Sequence, residues 1–110
     1  MEVIFASKKL EKVLTDDSQL KREYGQLAKK IKQRLLELRA AETLAVMRTL
    51  PAANCHELTG NLVGHLAVDI SKNWRMLFTP NHDPIPALPD GGLDWNDVVS
   101  VCVENIKDYH

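Results

Sequence analysis

The stretch Leu66–Phe78, which reads LAVDISKNWRMLF, decides the fold of this chain. On both sides of the turn-like triplet Ser71–Asn73, large apolar residues occupy every second position: Leu66, Val68 and Ile70 before it, and Trp74, Met76 and Phe78 after it. An alternation with a period of two is typical of strands that bury one face. The stretch therefore predicts an antiparallel hairpin with one face turned toward a core.

Downstream of the hairpin, the chain predicts a loop and then one more strand. Thr79 to Asn96 has little periodicity and contains Asp90-Gly91-Gly92, so we predict a loop there. The apolar run Val98–Val103 predicts a final strand from about Asp97 to Ile106. That strand leads into the last three residues, Asp108-Tyr109-His110. A terminus is normally the least constrained part of a domain, so three ionisable side chains after a rigid strand suggest a site built on its end.

Upstream of the hairpin, the apolar spacing first predicts a short strand and a first helix. Glu2 to Ala6 is short, apolar and β-prone, and it predicts the first strand. Ser7 can then cap a helix that runs through Leu14. The triplet Asp16–Ser18 ends that helix and can cap the next one.

A longer helix is predicted after this second cap. From Leu20 to Leu38 the apolar residues recur at steps of three and four, which predicts one long amphipathic helix, weakened locally by Gly25. Glu42 to Leu50 predicts a further short helical segment, ended by Pro51. Helices followed by a meander of strands predict an α+β domain, with the N-terminal helices packed on one face of a small, mainly antiparallel sheet.

The whole chain gives three further expectations. Its 110 residues can bury one core, so we expect a single domain over residues 1–110. No apolar run is long enough to span a membrane, and Met1–Phe5 lacks the start of a signal peptide, so we expect a cytoplasmic protein without a membrane partner. Cys55 and Cys102 have no zinc-binding spacing, so we expect two reduced thiols.

Charge divides the chain into unlike halves, although the net charge is only −1. Residues 1–50 carry 11 basic and 7 acidic residues, whereas residues 51–110 carry 3 basic and 8 acidic residues. The basic residues cluster in and directly after the second half of the predicted long helix: Lys29, Lys30, Lys32, Arg34 and Arg39. Such a cluster can bind phosphate or an acidic protein, but from charge alone a solvated helix face is the simpler interpretation.

Three polar clusters fall on the strand half: Cys55–Asn61, Asn73–Arg75 and the terminal Asp108–His110. In a meander, Arg75 can lie beside the last strand on the exposed face of the sheet. A guanidinium binds phosphate and offsets charge at phosphorus, while an imidazole or a phenol can transfer protons. This combination suits cleavage of a phosphodiester. It needs no metal, no carboxylate cluster would hold one, and we expect no cofactor.

Taken singly, these residues have simpler interpretations. Arg75 could be a surface ion pair, His56 a turn residue and His110 a frayed end, and we assign no role to His65 or His82. Their joint occurrence in this order is stronger evidence for a catalytic site than any one of these residues alone.

That joint pattern resembles the HigB-type plasmid maintenance killer toxins of the RelE/ParE superfamily. The resemblance rests on the turn His56-Glu57-Leu58-Thr59-Gly60 and on the alternating strand Leu66–Ile70. It continues in Asn73-Trp74-Arg75 and closes with Asp108-Tyr109-His110. It covers nearly the whole chain and is strongest from residue 55 onward.

The resemblance implies a RelE-like, microbial-RNase-like fold and a toxin of a type II toxin–antitoxin system. The implied activity is a ribosome-dependent mRNA endonuclease that inhibits translation and growth, using attack by the ribose 2′-hydroxyl. The implied partners are a cognate helix-turn-helix antitoxin, the ribosome and mRNA, and operator DNA only through the antitoxin complex. No cofactor is implied.

Carried over residue by residue, the catalytic positions implied by the resemblance are His56, Arg75, Asp108, Tyr109 and His110. Arg75 would stabilise the transition state, and the two histidines would be acid and base in an order that remains open. Tyr109 would stack on or hydrogen-bond the substrate, and Asp108 would orient a histidine or a base. The RNA-binding residues on this interpretation are Lys29, Lys30, Lys32, Arg34 and Lys72.

Two departures from the family pattern keep alternatives open. Members often carry a lysine where this chain has Thr59. The loop from Thr79 to Asn96 carries Asp83, Asp90 and Asp94, which would repel phosphate if it lay beside the site. The alternatives are a ParE-like toxin that binds DNA gyrase without cutting RNA, and an inactive relative that only binds its antitoxin. The terminal Asp-Tyr-His favours the enzyme, whereas the two departures favour the inactive relative.

Overall fold

A five-stranded sheet with three helices on one face makes up the computed structural model, which describes residues 1–109. The elements in chain order are β1 (Glu2–Phe5), α1 (Lys8–Thr15), α2 (Asp17–Tyr24), α3 (Ala28–Ala40), β2 (His56–Glu57), β3 (Leu66–Asp69), β4 (Trp74–Pro80) and β5 (Ser100–Asp108). The strand order is β1-β5-β4-β3-β2, with β1 parallel to β5 and the other pairs antiparallel. The predicted α+β class and mainly antiparallel sheet are confirmed.

The hairpin of β3 and β4 sets the two faces of the sheet. Leu66 pairs with Phe78, and these side chains join the core beneath the helices. Asp69 pairs with Arg75. Because directly opposed residues share a face and successive residues alternate, Asp69 and Arg75 lie together on the face away from the helices, which we call the open face.

The helical half begins as predicted and then departs from the prediction. Ser7 caps α1 by accepting from the N–H of Leu10, and Asp16 caps α2 in the same way. The prediction of one continuous helix from Leu20 to Leu38 is wrong. Gly25 has φ +52°, a conformation that ends a right-handed helix, and a 3₁₀ turn follows before α3 starts.

Smaller differences concern short elements. The segment Glu42–Leu50 was predicted as helical, and it contains a 3₁₀ turn at Leu44–Thr49. Pro51 opens a second 3₁₀ turn at Pro51–Ala53 instead of ending the helical structure. The two-residue edge strand β2 was not predicted, because its sequence has turn-like character and is too short to show a period.

Arg34 lies in the interior, with 3% of its surface exposed. Its Nε donates to the carbonyl of Asp69 at 2.7 Å and its Nη2 to the carbonyl of Ala52 at 2.9 Å. Its Nη1 donates to Oε1 of Glu37 at 2.9 Å. Arg34 therefore joins α3 to the end of β3. The prediction that it belongs to an exposed RNA-binding surface is wrong, because these donors are used inside the fold.

The acidic loop between β4 and β5 lies at the far end of β4 from Arg75. It borders a cleft of about 270 Å³ that is also lined by Leu66 and Pro80. Pro80 is five residues along β4 from Arg75, which is about 17 Å in an extended strand. The loop therefore starts well away from Arg75 along β4. No helix among residues 1–109 is long and apolar enough to cross a lipid bilayer.

Candidate functional site

Arg75 lies in the middle of a polar row on the open face. The strand register sets Asp69 of β3 on one side of it and Lys107 of β5 on the other. The Nε of Arg75 is 3.6 Å from Oδ1 of Asp69, and the two side chains are 32% and 33% exposed. Within residues 1–109 this partly exposed guanidinium has one long ion pair, which leaves several of its five N–H donors for a ligand.

Tyr109 extends this row beyond the end of β5. Its N–H donates to the carbonyl of Asn73 at 2.6 Å, which holds the residue against the hairpin turn. Its ring centroid is 4.9 Å from Cζ of Arg75 and 5.6 Å from Nζ of Lys107. Cations are attracted to an aromatic face at such distances. Tyr109 is therefore an ordered part of the site.

Two unsatisfied polar atoms flank Arg75. Among residues 1–109, three buried side-chain polar atoms have no hydrogen-bond partner: Oδ1 of Asp69, Oη of Tyr109 and Nδ1 of His65. Buried polar groups in proteins are nearly always hydrogen-bonded, so an exception calls for an explanation. The first belongs to the ion-pair partner of Arg75, and the second to the ring whose centroid is 4.9 Å from Cζ of Arg75. An acceptor, a hydroxyl and a cation close together are chemically suited to a polar, anionic ligand.

Asn54 connects this cluster to His56. It adopts the left-handed conformation, with φ +46°, which asparagine tolerates. Its Nδ2 donates to Oδ2 of Asp69 at 3.1 Å, and its carbonyl lies 2.6 Å from Nδ1 of His56. Because a carbonyl can only accept, the proton of a neutral His56 imidazole must lie on Nδ1. The Nε2 atom is then the one that can accept a proton.

His56 lies on the same face as Arg75 but at the edge of the sheet. It pairs with Ala67 on β3, one row away from the pair formed by Asp69 and Arg75. Two strand spacings across and two residues along correspond to about 12 Å between the Cα atoms of His56 and Arg75. A ligand that contacts both side chains must therefore span much of the open face.

Three other predicted site residues differ in their relation to Arg75. Asp108 pairs with Trp74, whose side chain packs against the core, so the alternation of β5 sets Asp108 on the face opposite Arg75. Lys72 is exposed in the turn that anchors Tyr109 and is near the site. His110 lies outside the described residues.

The predicted basic cluster on α3 is separate from the open face. With Arg34 buried, its remaining lysines are on the helical side of the sheet: Lys29, Lys30 and Lys32. Nζ of Lys32 lies 3.0 Å from a carboxylate oxygen of Asp17 on α2. This cluster and Arg75 therefore belong to different surfaces of the molecule.

Neither thiol is suited to act as a nucleophile. Burial raises the pKa of Cys55 to about 12, against a smaller opposing effect of Arg48. Burial also raises the pKa of Cys102, and the charge and hydrogen bond of Glu104 act in the same direction. Both side chains therefore stay protonated near neutral pH, and the thiol is a much weaker nucleophile than the thiolate.

Three residues of this cluster were missed by sequence reasoning: Asn54, Asp69 and Lys107. A signal for Asp69 was present, because it is the polar residue in the alternating stretch before the hairpin turn. Pairing the two strands across Ser71–Asn73 would have set it opposite Arg75. Asn54 gave no comparable signal, since its place depends on the 3₁₀ turn before it and on the edge strand after it.

One family of known proteins shares the sequence pattern of most of this chain. Residues 3–86 match the family model of the RelE-like toxin of the type II toxin–antitoxin system HigB. The chain belongs to this family. The resemblance that the sequence motifs indicated is thus confirmed, and membership in a toxin–antitoxin family implies an antitoxin partner. No curated protein sequence matches the chain.

Solved structures of related toxins share the fold. The YoeB/ParE toxin from Agrobacterium tumefaciens has a TM-score of 0.53 and 10% identity, over 100% of both chains. YafQ from E. coli has a TM-score of 0.51 and 15% identity, and a mutant of YafQ has 0.52 and 14%, each over 97% of this chain and 91% of that chain. At these identities the likeness concerns the fold, and it confirms the RelE-like architecture.

Proposed function

We propose that this HigB-family toxin is a ribosome-dependent mRNA endonuclease. The observation that carries the proposal is the partly exposed Arg75 on the open face, beside Oδ1 of Asp69 and the ring of Tyr109. Neither Oδ1 of Asp69 nor Oη of Tyr109 has a hydrogen-bond partner among residues 1–109. A phosphodiester with its ribose hydroxyls supplies an anion for the guanidinium and a hydroxyl for an acceptor. Buried polar atoms are nearly always hydrogen-bonded, so the lack of a hydrogen bond at these two atoms within residues 1–109 favours a ligand at this place.

The proposed reaction is attack of a ribose 2′-hydroxyl on the adjacent phosphorus. Arg75 would bind the phosphate and offset the charge that develops on it, so the route needs no metal ion. Tyr109 would stack on a base or donate to the substrate. His56 and His110 remain the proposed proton-transfer groups, and Asp108, two residues from His110, would orient that imidazole.

The partners follow from the same proposal. Few cations surround Arg75, so free RNA should be a poor substrate, and the ribosome would orient the mRNA. Lys72 would contact the phosphate backbone, and Lys29, Lys30 and Lys32 would meet ribosomal RNA or an acidic segment of the antitoxin. The toxin would act in the cytoplasm. A helix-turn-helix antitoxin would neutralise it, and operator DNA would be reached only through that complex.

The test is the variant Arg75→Ala, with Arg22→Ala of the exposed surface of α2 as the matched control. Loss of one group that stabilises developing charge should lower the mRNA cleavage rate on translating ribosomes by roughly 10²–10³-fold. The melting temperature should change little, because a partly exposed ion pair contributes about 0–1 kcal/mol at most. Arg22→Ala should cleave as the parent protein does.

The cleavage products identify the mechanism. Attack by the 2′-hydroxyl leaves 2′,3′-cyclic or 3′-phosphate ends on the upstream fragment. Fragments with 3′-hydroxyl ends would contradict the proposed route, and full activity of Arg75→Ala would remove Arg75 from it. Inhibition of DNA gyrase without RNA cleavage would move the chain to the ParE-like alternative. Binding to the antitoxin with neither activity would identify an inactive relative.

A further inference from the structure

We propose that Asp69 is the general base of this site, accepting the proton of the attacking ribose 2′-hydroxyl. The inference rests on the proposed function and changes one role in it: Asp69 replaces His56 as a candidate for the base. The observation behind it is the unequal environment of the two carboxylate oxygens of one side chain on the open face.

Each oxygen of Asp69 has a different neighbour. Oδ2 accepts a hydrogen bond from Nδ2 of Asn54 at 3.1 Å. Oδ1 faces Nε of Arg75 at 3.6 Å, which is longer than the 2.7–2.9 Å typical of a charge-assisted hydrogen bond, and it has no hydrogen-bond partner among residues 1–109. Asn54 thus fixes the carboxylate through one oxygen and leaves the other as an unused acceptor.

The main chain of Asp69 is fixed from the opposite side of the sheet. Its carbonyl accepts from Nε of the buried Arg34 at 2.7 Å. The residue is therefore held through both its backbone and its side chain, by two different elements. A general base is effective when it is held in position before the substrate arrives, and this arrangement provides that.

The pair formed by Asp69 and Arg75 is complementary to a ribose with its 3′-phosphate. In RNA the 2′-hydroxyl and the 3′-phosphate are carried by neighbouring carbons of one ribose, so a donor and a set of acceptors lie close together. Here an acceptor and a cation lie 3.6 Å apart on neighbouring strands. The Arg75 side chain lies against Oδ1 at rest. Moving its guanidinium onto a phosphate would uncover this oxygen at the position of the 2′-hydroxyl.

The proposed step conserves atoms and charge. The 2′-O–H bond breaks, and its proton goes to Oδ1 of Asp69. The oxygen forms a bond to phosphorus with the electron pair that remains, and the bond from phosphorus to the 5′-oxygen breaks. The leaving 5′-oxygen takes a proton from Tyr109 or His110. The products are a 2′,3′-cyclic phosphate and a 5′-hydroxyl.

Asp69 is better located for this step than His56. The carboxylate lies directly beside Arg75, whereas His56 is on the edge strand, about 12 Å from Arg75 between Cα atoms. A base must reach the hydroxyl next to the phosphate that Arg75 holds, so proximity favours Asp69. His56 is left to contact the RNA further along the open face.

The test is Asp69→Asn, which keeps the size of the side chain and removes its ability to take a proton. Measured as single-turnover cleavage on pre-assembled ribosome–mRNA complexes, the rate should fall by roughly 10²–10⁴-fold. Binding to those complexes should stay equal or become tighter, because a negative charge next to Arg75 is lost. A purely structural residue would not give slower cleavage together with equal or tighter binding.

Two further variants complete the experiment. Asp69→Glu retains a carboxylate and should recover part of the rate. Asp97→Asn, at an exposed carboxylate beyond the acidic loop, should leave both rate and binding unchanged.

The outcomes separate this inference from the proposed function. If the parent protein cuts mRNA and Asp69→Asn cuts it equally fast or faster, Asp69 is not the base and only restrains Arg75. If Asp69→Asn loses rate, binding and thermal stability together, its role is structural and the inference is also wrong. If the parent protein itself does not cut mRNA on the ribosome, the proposed function fails, and this inference fails with it.

Discussion

Two arginines contact Asp69 from opposite sides of the sheet, and they differ in almost everything else. Arg34, on the helical side, is 3% exposed and donates to two carbonyls and a carboxylate. Arg75, on the open face, has a side chain that is 32% exposed, and within residues 1–109 its one ion pair is with Asp69 at 3.6 Å. The hydrogen bonds of the first arginine are satisfied inside the fold. The second has donors that residues 1–109 do not use, and unused donors are what a binding site needs.

The largest effect on folding is expected for Arg34→Ala. It would leave the carbonyls of Asp69 and Ala52, and Oε1 of Glu37, without the donors that Arg34 supplies. Removing one partner of a buried, hydrogen-bonded charge typically costs about 3–5 kcal/mol. Urea denaturation should show a loss of that size. Arg39→Ala, at an exposed position on the same helix, should change the free energy of unfolding by less than about 0.5 kcal/mol.

This variant tests the comparison directly. If Arg34→Ala unfolded no more easily than Arg39→Ala, the buried hydrogen bonds would not hold β3 in place. A folded Arg34→Ala protein should still bind RNA, because Arg34 has no exposed donor to lose. A selective loss of RNA binding in a stable variant would restore Arg34 to the RNA-binding surface.

A smaller effect on stability, with a clear effect on activity, is expected at Tyr109. Tyr109→Ala removes the ring that contacts Arg75 and Lys107 and should cost about 1 kcal/mol, as typical for exposed cation–π contacts. Tyr109→Phe keeps the ring and removes a buried hydroxyl that has no partner among residues 1–109, so stability should not fall. If that hydroxyl transfers a proton to the substrate, cleavage should still slow by roughly 10²–10⁴-fold, the range typical of proton-transfer groups.

Melting temperatures and cleavage rates of the two Tyr109 variants distinguish the roles of ring and hydroxyl. Equal cleavage by Tyr109→Phe and the parent protein would assign only a packing role to this residue. A lower melting temperature for Tyr109→Phe would mean that the hydroxyl has a structural partner.

The parts of the fold that the sequence predicts are those set by interactions between residues close together in the chain. The hairpin, the caps at Ser7 and Asp16 and the final strand are set by neighbours in sequence, and patterns of two, three and four residues reveal them. Arg34 was misassigned because it is one of several basic residues on a helix. Its burial depends on the carbonyl of Asp69, which is 35 residues away. Nothing near it in the sequence marks that contact.

The candidate site was also predicted only in part. Arg75 and Tyr109 were identified through the family motifs, and the strand order brings them together. Asp108 was grouped with them because it is adjacent in sequence, yet successive residues of a strand point to opposite faces. Asp69 was overlooked because no motif contains it. Its importance depends on a strand register and on one carboxylate oxygen that has no hydrogen bond among residues 1–109, which only a three-dimensional arrangement defines.

The smallest expected effect concerns the lysines of α3, which lie on a different surface from Arg75. Charge reversal at Lys29, Lys30 and Lys32 would test whether this surface binds an anionic partner. Lys32 already pairs with Asp17 at 3.0 Å, but that pair is exposed and contributes about 0–1 kcal/mol, so folding should tolerate the change. Affinity for the ribosome or for an acidic antitoxin segment should fall by about 3- to 30-fold at low salt, since each exposed charge pair lost is worth a few tenths of a kcal/mol to about 1 kcal/mol.

Salt dependence separates this surface from the site on the open face. The defect should shrink as ionic strength rises, because exposed charges more than about 8 Å apart are largely screened at physiological salt. The cleavage rate of mRNA already bound on the ribosome should not change, because Arg75 and Asp69 are untouched. Unchanged affinity for both partners, measured at low and at high salt, would leave these lysines as a solvated helix face. A slower cleavage step at saturating ribosome would mean instead that the two surfaces act together.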